Sequence, residues 1–235
     1  MVQTGFNDPL RDFNWACLYA RYDEMCAAFN PHSPLLGMFE PALPSSDRAL
    51  YYKLAGAFET IRSDRPEETA ALYGAMLYWK LYSQHRVRGK IIGWTEEARE
   101  PLARLLQTMP VDVEPQQEDI AELERRILSF GIPGMKSPTA IPVRATLLHF
   151  LYPNVAPLFD RMVLRAVGVI SETASHDRRV YTEYISYARE LAARYRHDCA
   201  KFSQETPLRV VDMALWATRG RPSRLLPSPA LAHPW

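Results

Sequence analysis

Several features that would place a chain in a specialised class are missing from this sequence. The three cysteines, Cys17, Cys26 and Cys199, lack C-x-x-C spacing and are odd in number, which argues against a zinc site and a disulfide framework. No apolar stretch approaches the ~20 residues that span a bilayer, and the N-terminal segment lacks the basic head and apolar run of a signal peptide. We therefore expect a cytoplasmic protein with reduced cysteines and no membrane contact.

A charge excess is also missing. The 28 Lys and Arg residues nearly balance the 27 Asp and Glu residues, which leaves a net charge of +1. Any affinity for a polyanion must therefore come from a local group of cations. The 235 residues are 47% apolar and 11% aromatic, which is the composition of a globular protein with a core of its own.

Sequence patterns typical of β-strands are also missing. Apolar residues recur at helical spacing, whereas alternating patterns and Asn-Gly or Asp-Gly turns do not occur. The sequence predicts an all-α fold, with one helical unit over residues 1–217 and an extended, proline-rich tail over residues 218–235. The predicted helices cover residues 12–29, 46–61, 67–83, 96–107, 119–130, about 143–150, 160–170, 179–200 and 207–218, and a surface loop covers residues 31–44.

One turn between two predicted helices has an unusual composition. The residues Ile-Pro-Gly-Met-Lys at 132–136 follow the helix that ends near Phe130 and precede the next apolar helix. This is the outline of a helix-hairpin-helix over about residues 119–151. A tight glycine turn lets backbone N–H groups at a helix N-terminus approach a phosphate. A Pro-Gly turn is also a common connector, so it indicates little by itself.

The sequence after this turn strengthens the functional interpretation. Thr139-Ala140 follows the turn, and P-L-F-D-R-M-V-L-R occupies residues 157–165. The arrangement resembles the helix-hairpin-helix (HhH-GPD) DNA glycosylase superfamily of endonuclease III, the mismatch adenine glycosylases and 8-oxoguanine glycosylase-like enzymes. Those enzymes have L-P-G-V-G, often followed by Thr-Ala, and then an aspartate in a P-hydrophobic-hydrophobic-D-x-x-V-x-R context. The detailed resemblance covers residues 131–165, and Lys136 departs from it where a second glycine is expected.

The resemblance implies a two-lobed helical fold with a cleft between the lobes and Asp160 as the catalytic carboxylate. A fixed negative charge stabilises the sugar cation that develops when an N-glycosidic bond breaks. The alternative is that Asp160 only caps a helix, since Asp is a preferred N-cap residue. Pro138 stands where lyase members carry their lysine, so the resemblance implies a monofunctional glycosylase that leaves an abasic site. We expect a monomer that acts on double-stranded DNA containing a modified base, without a cofactor or a metal.

Further residues are candidates for contacts with DNA and with the flipped base. DNA contacts are predicted at Gly134, Met135, Lys136, Ser137, Arg161, Arg165, Arg86, Arg88 and Lys90, and a base pocket or wedge at Tyr78, Trp79, Lys80 and Tyr82. The aromatic residues would otherwise be core residues and the basic run a solvated loop. His149, on an apolar helix, is interpreted as a core histidine with satisfied nitrogens. The helix over residues 207–218 is assigned a structural role.

Other functions remain open at this point. The base could be oxidised or alkylated, as in repair, or a hypermodified cytosine of phage DNA, as in defence. A noncatalytic helix-hairpin-helix module that binds DNA or a protein is the main alternative, and it predicts an exposed Asp160 with no pocket beside it. A helical scaffold with a coincidental Pro-Gly turn predicts no basic surface around Lys136.

Overall fold

The computed structural model describes residues 5–60, 66–110 and 115–218, so the predicted tail lies almost wholly outside the described residues. Within these ranges the chain is helical and contains no strand, which confirms the all-α prediction for this part. The α-helices are α1 (Leu18–Met25), α2 (Asp47–Thr60), α3 (Pro66–Leu81), α4 (His85–Arg88), α5 (Ile91–Thr108), α6 (Gln117–Ser129), α7 (Ile141–Leu151), α8 (Arg161–Ala166), α9 (Arg178–Arg194), α10 (Arg196–Cys199) and α11 (Pro207–Ala217). Short 3-10 segments occur at Trp15–Cys17, Pro34–Phe39 and Ala174–His176.

Two predicted helices are shorter in the structure. The helix expected over residues 12–29 is a 3-10 turn capped by the Asn14 side chain and followed by α1. The helix expected over residues 160–170 ends as α8 at Ala166, because Gly168 adopts a φ of 91° that no α-helix contains. The helix predicted from residue 96 begins five residues earlier, at Ile91.

Helix α3 runs through the centre of the core. Every residue from Leu72 to Trp79 is buried. Over this stretch the helix has no side free for solvent, because α3 packs against α2, α5 and α7. A Cβ at Gly74 would lie 2.6 Å from the Thr95 hydroxyl oxygen, so glycine at this position allows the close approach of α5.

The remaining helices complete the same core from the C-terminal side. Helices α1, α8, α9 and α10 pack on α11, and α6 packs on α7 and α9. Helix α7 also contacts α2 and α3, so the buried side chains form one continuous cluster. None of the helices in the described ranges is long and apolar enough to cross a membrane.

The segment from Phe130 to Ala140, called here the hairpin segment, joins α6 to α7. Gly134 has a φ of 84°, and a Cβ there would lie 3.0 Å from the Tyr73 hydroxyl and 3.2 Å from the Trp94 ring. Both the backbone conformation and the space therefore require glycine. The Tyr73 hydroxyl donates a 2.6 Å hydrogen bond to the Pro133 carbonyl, which ties the segment to α3. Pro142 lies in the first turn of α7, as expected for a late helix start.

Candidate functional site

Asp160 caps α8 and is held by the helix it caps. Its backbone is extended, and its Oδ1 accepts hydrogen bonds from the N–H groups of Met162, at 2.7 Å, and Val163, at 3.0 Å. The preceding residues Leu158 and Phe159 are buried, so the carboxylate enters the site from a fixed segment. The capping geometry predicted as the structural alternative is therefore present.

Capping is not the only interaction of Asp160. The Lys80 ammonium, from the last turn of α3, lies 3.0 Å from Asp160 Oδ2 and 3.3 Å from the Phe159 carbonyl oxygen. The side chains of Lys80 and Asp160 are only 9% and 17% exposed, so this ion pair is largely removed from solvent. The sequence assigned Lys80 to a base pocket or wedge, and the structure places its ammonium on the predicted catalytic carboxylate.

The surroundings favour the charged form of Asp160. Burial raises the pKa of Asp160, but the Lys80 ammonium and the N–H groups of Val163 and Met162 lower it by more. The net pKa therefore lies below its usual value, and the carboxyl is ionised at neutral pH. A permanent negative charge is thus held at this position.

A pocket opens beside this charge. Its cavity volume is about 80 Å³, which is smaller than that of typical small-molecule sites, so the surrounding side chains must move apart to admit a ligand of that size. Aromatic rings from two parts of the chain, Trp79 and Tyr82 at the end of α3 and Trp216 of α11, form part of its wall. The other lining residues are Tyr22, Met25, Cys26, Ala28, Asp47, Lys80, Ser83, Leu158, Asp160, Arg209 and Asp212.

Arg209 of α11 organises the charges of this pocket. It is fully buried, and its guanidinium donates to Asp212 Oδ2 at 2.5 Å and to the Tyr22 hydroxyl at 2.7 Å. The Tyr22 hydroxyl in turn donates to Asp47 Oδ1 at 2.7 Å. The Arg209 guanidinium carbon lies 4.3 Å from the centre of the Tyr51 ring, a cation–π distance.

The two acids beside Arg209 differ from Asp160 in their ionisation. Burial raises the pKa of Asp212 to about 6, against the opposing effect of Arg209, and the negative charge of Asp160 contributes to the rise. Burial also raises the pKa of Asp47 above its usual value, although Arg209 and Tyr22 act in the opposite direction. The pocket therefore combines one carboxylate held ionised with acids that take up protons more readily.

Two buried N–H groups of the pocket residues have no hydrogen-bond partner among the described residues. They are Nε1 of Trp79, which lies beside the Asp47 carboxyl without good hydrogen-bond geometry, and Nε of Arg209. Buried donors are nearly always satisfied in proteins, and since Asp47 is close to the Trp79 N–H, it is the Arg209 Nε–H that we expect a water molecule or a ligand to complete. The thiol of Cys26 offers no nucleophile, because burial raises its pKa to about 12.

The hairpin segment is shaped by a buried arginine that the sequence analysis did not single out. The fully buried Arg144 side chain donates to the carbonyl oxygens of Met135 at 2.5 Å, Ser137 at 2.6 Å and Pro138 at 3.0 Å. Its charge is balanced by Glu124 of α6 at 2.5 Å. The N–H groups of Lys136 and Ser137 donate to no acceptor among the described residues.

The predicted hairpin contacts differ in accessibility. Lys136 and Ser137 are exposed and Gly134 is half-buried. Met135 is fully buried, and its N–H bonds the Ile132 carbonyl at 2.9 Å. The prediction of Met135 as a DNA contact is therefore corrected, because neither its side chain nor its N–H is available.

Helix α3 connects the hairpin segment to Asp160. Tyr73 bonds the hairpin segment and Lys80 bonds Asp160, and the two residues are about 10 Å apart along the helix at 1.5 Å per residue. No residue of the hairpin segment lines the pocket itself. The hairpin segment and Asp160 therefore both contact α3, but they do not line the same cavity.

The other predicted site residues separate into several environments. Tyr78 is buried and its hydroxyl donates to the Asn30 carbonyl at 2.8 Å, so the prediction that it lies in the pocket is corrected. Arg161, which directly follows Asp160 in the chain, and Arg165 both form ion pairs with Glu172. The exposed cations Arg86, Arg88 and Lys90 lie in and just after α4, close in sequence to the pocket residue Ser83, and form no salt bridge with a described residue.

Sequence reasoning missed the contribution of α11. The helix was assigned a structural role, whereas Arg209, Asp212 and Trp216 line the pocket. The signal was the Arg and Asp at i and i+3 within the otherwise apolar run from Leu208 to Leu215, where charged residues need a partner or a function. Asp47, in the first turn of α2, also lines the pocket, and no sequence pattern indicated this.

His149 behaves as expected for a core histidine. Its Nδ1 lies 2.8 Å from the Ala156 carbonyl oxygen and its Nε2 lies 2.8 Å from the Tyr51 hydroxyl. Because the carbonyl can only accept, Nδ1 carries the proton and Nε2 accepts from Tyr51. Burial lowers the pKa of His149 to about 3, so the ring is neutral in the folded protein.

Comparison with known proteins adds no family assignment. No protein-family profile matches the chain, and neither the curated proteins nor the solved structures include a significant match to it.

Proposed function

We propose that this protein is a DNA glycosylase that flips a modified base into the pocket beside Asp160 and hydrolyses its N-glycosidic bond. The observation that carries the proposal is the ionised Asp160 carboxylate, held by Lys80 and two helix N–H groups at the wall of an aromatic pocket. The pocket, at about 80 Å³, must widen to take up a base, and Trp79, Tyr82 and Trp216 offer the stacking surfaces that a flipped base uses.

The chemistry requires a fixed charge rather than a strong nucleophile. Departure of the base leaves positive charge on the sugar, and a carboxylate that is already oriented stabilises this charge without reorganising. Both Asp160 oxygens are held in place, Oδ1 by the N–H groups of α8 and Oδ2 by Lys80. The same interactions keep the carboxylate ionised beside apolar neighbours, as this role demands.

The hairpin segment supports the DNA part of the proposal. The buried Arg144 side chain donates to three carbonyl oxygens of the hairpin segment. The N–H groups of Lys136 and Ser137 have no hydrogen-bond partner among the described residues. N–H groups and a lysine ammonium at one exposed turn are suited to a backbone phosphate. The exposed cations of residues 86–90 would hold a second stretch of the same DNA.

The arrangement of helices is part of the proposal. We infer two lobes with the DNA between them, and with the hairpin segment and Asp160 on one wall. The support is α3, which contacts the hairpin segment through Tyr73 and Asp160 through Lys80. The enzyme would act as a cytoplasmic monomer without a metal or another cofactor.

A noncatalytic DNA- or protein-binding module would have an exposed cap and no adjacent pocket. Asp160 is instead mostly buried, paired with an ammonium and next to a pocket with unsatisfied donors. These features serve no purpose in a capping residue alone, which needs only the N–H groups of its helix. They favour catalysis over simple binding.

The proposal is tested by base release. The protein is incubated with duplexes that each contain one oxidised, alkylated or hypermodified base, and the products are divided into samples with and without alkali. We expect one class of duplex to break only after alkali, because Pro138 replaces the lyase lysine and the product is an intact abasic strand. The proposal fails if no duplex in the panel loses a base.

A further inference from the structure

A second carboxyl group shares the pocket with Asp160. Asp212 lies on α11, is 4% exposed, and has one oxygen bound by Arg209 at 2.5 Å. It lines the pocket together with Asp160 and Lys80, and its electrostatic neighbours include both of them. Asp212 is therefore close enough to the fixed charge of the site to act on the same bound molecule.

The groups that face Asp212 come from every neighbouring element. They are Arg209 on α11, Lys80 on α3, Asp160 before α8, Tyr22 on α1, Cys26 just after α1, Asp47 and Tyr51 on α2, and Tyr184 on α9. Burial and the Asp160 charge favour the protonated form, whereas Arg209 and Lys80 favour the ionised form. The balance sets the pKa of Asp212 at about 6, so both forms are populated near neutral pH.

We propose that Asp212 donates a proton to the departing base, while Asp160 stabilises the sugar. This inference rests on the proposed function. The two roles follow from the hydrogen bonds, since Asp160 accepts three at its two oxygens, from Lys80 and two N–H groups, whereas Asp212 accepts from Arg209 at Oδ2 alone among the described residues. Two carboxyl groups in unlike environments are a common way to provide one acid and one anion in a single site.

The step balances without a co-reactant other than water. The bond between the sugar C1′ and the base nitrogen breaks, and its electron pair goes to the base. The Asp212 carboxyl gives its proton to an acceptor atom of the base, which leaves neutral. Water adds its oxygen to C1′, and the proton that it loses restores the Asp212 carboxyl through solvent. The products are a neutral base and an abasic sugar.

The test is the pH dependence of base release under single-turnover conditions, with the duplex identified by the alkali assay. The wild-type rate should fall as the pH rises above about 6, since the protonated acid is then lost. Asp212→Asn should be slower by roughly 100-fold at pH 5.5, a typical loss for a general acid, and its rate should not depend on pH from 5.5 to 8. Asp212→Glu should retain the pH dependence, and Asp47→Asn should keep the same slope whatever its rate.

Further measurements separate a catalytic role from a structural one. Asp212→Asn should bind a duplex that contains a stable abasic analogue as tightly as the wild type, and the wild type should release base more slowly in D₂O. The inference is overturned if Asp212→Asn keeps the wild-type pH dependence. The wild type alone provides a second test, which does not depend on whether the variant folds. The inference is also overturned if the wild-type rate does not fall above pH 6 and shows no solvent isotope effect. Absence of base release by the wild type would instead remove the proposed function itself.

Discussion

Lys80 and Asp160, eighty positions apart in the chain, form a 3.0 Å ion pair that is largely shielded from solvent. The pair joins the end of the central helix α3 to the N-terminus of α8, and its carboxylate borders the pocket. The ammonium thus sets the orientation and the charge of the group on which the proposed chemistry depends.

Lys80→Met should move the acid limit of base release. Lys80 lowers the pKa of Asp160 while burial raises it, so the variant's Asp160 should protonate at a higher pH. Activity that requires ionised Asp160 would then be lost at a higher pH as the solution is acidified. Single-turnover rates between pH 4.5 and 8 measure this shift. An acid limit at the wild-type pH would show that the ion pair does not control the ionisation of Asp160.

Asp160→Asn should retain DNA binding and lower base release by roughly 10²–10³-fold, because the charge that stabilises the sugar cation is removed. The variant should also lose about 1–3 kcal/mol of folding free energy, since Lys80 is left buried without its counterion. Asp177→Asn is the matched control: Asp177 caps α9 with a 2.8 Å bond to the Arg179 N–H, outside the pocket. The control should keep full activity. Full base release by Asp160→Asn would refute the mechanism.

Arg144→Met should destabilise the protein by about 3 kcal/mol, because Glu124 keeps only Arg178 and three hairpin carbonyls lose their donor. Urea unfolding measures the loss. Arg125→Met, which removes an exposed ion pair with Glu122 on α6, should change stability by less than about 0.5 kcal/mol. Equal effects of the two substitutions would argue against an organising role for Arg144.

Lys136→Glu should weaken DNA binding irrespective of sequence and reduce the slope of log affinity against log salt by about 1, because one phosphate contact is lost. Lys201→Glu, which makes the same charge change outside the hairpin segment, should leave the slope unaltered. Fluorescence anisotropy over a salt titration reports both values. An unchanged slope for Lys136→Glu would place the hairpin segment outside the DNA interface.

His149 should make folding stability depend on pH. Its pKa is about 3 in the folded protein and about 6.5 in the unfolded chain, so the unfolded state gains a proton first as the pH falls. This stability is present above pH 6.5 and is lost toward pH 3, by about 2 kcal/mol between pH 7 and 5. In His149→Gln, the difference between urea-derived stabilities at these two pH values should shrink by that amount. An undiminished difference would mean that His149 is protonated in the folded protein.

Much of the local structure could be predicted from spacing alone. The start of α2 at Ser46 and Asp47, the glycine turn before α7 and the capping position of Asp160 all follow from residues within four positions of one another. Helix periodicity and capping act over these distances, so they can be recognised without knowledge of the fold. The limits of α1 and α8 were predicted less well, because 3-10 turns and a positive φ interrupt patterns that otherwise look helical.

Local patterns in the chain are enough to predict that it is helical, that it turns at Gly134 and that a carboxylate begins the helix after Phe159. The pairing of Lys80 with that carboxylate, the contacts of Arg144 with the turn, and the positions of Arg209 and Asp212 in the pocket wall depend on how the helices pack. These contacts join residues up to 187 positions apart. Such contacts depend on which helix faces pack together, because buried charges must find partners wherever the packed helices place them, and this cannot be derived from a periodicity of three or four residues.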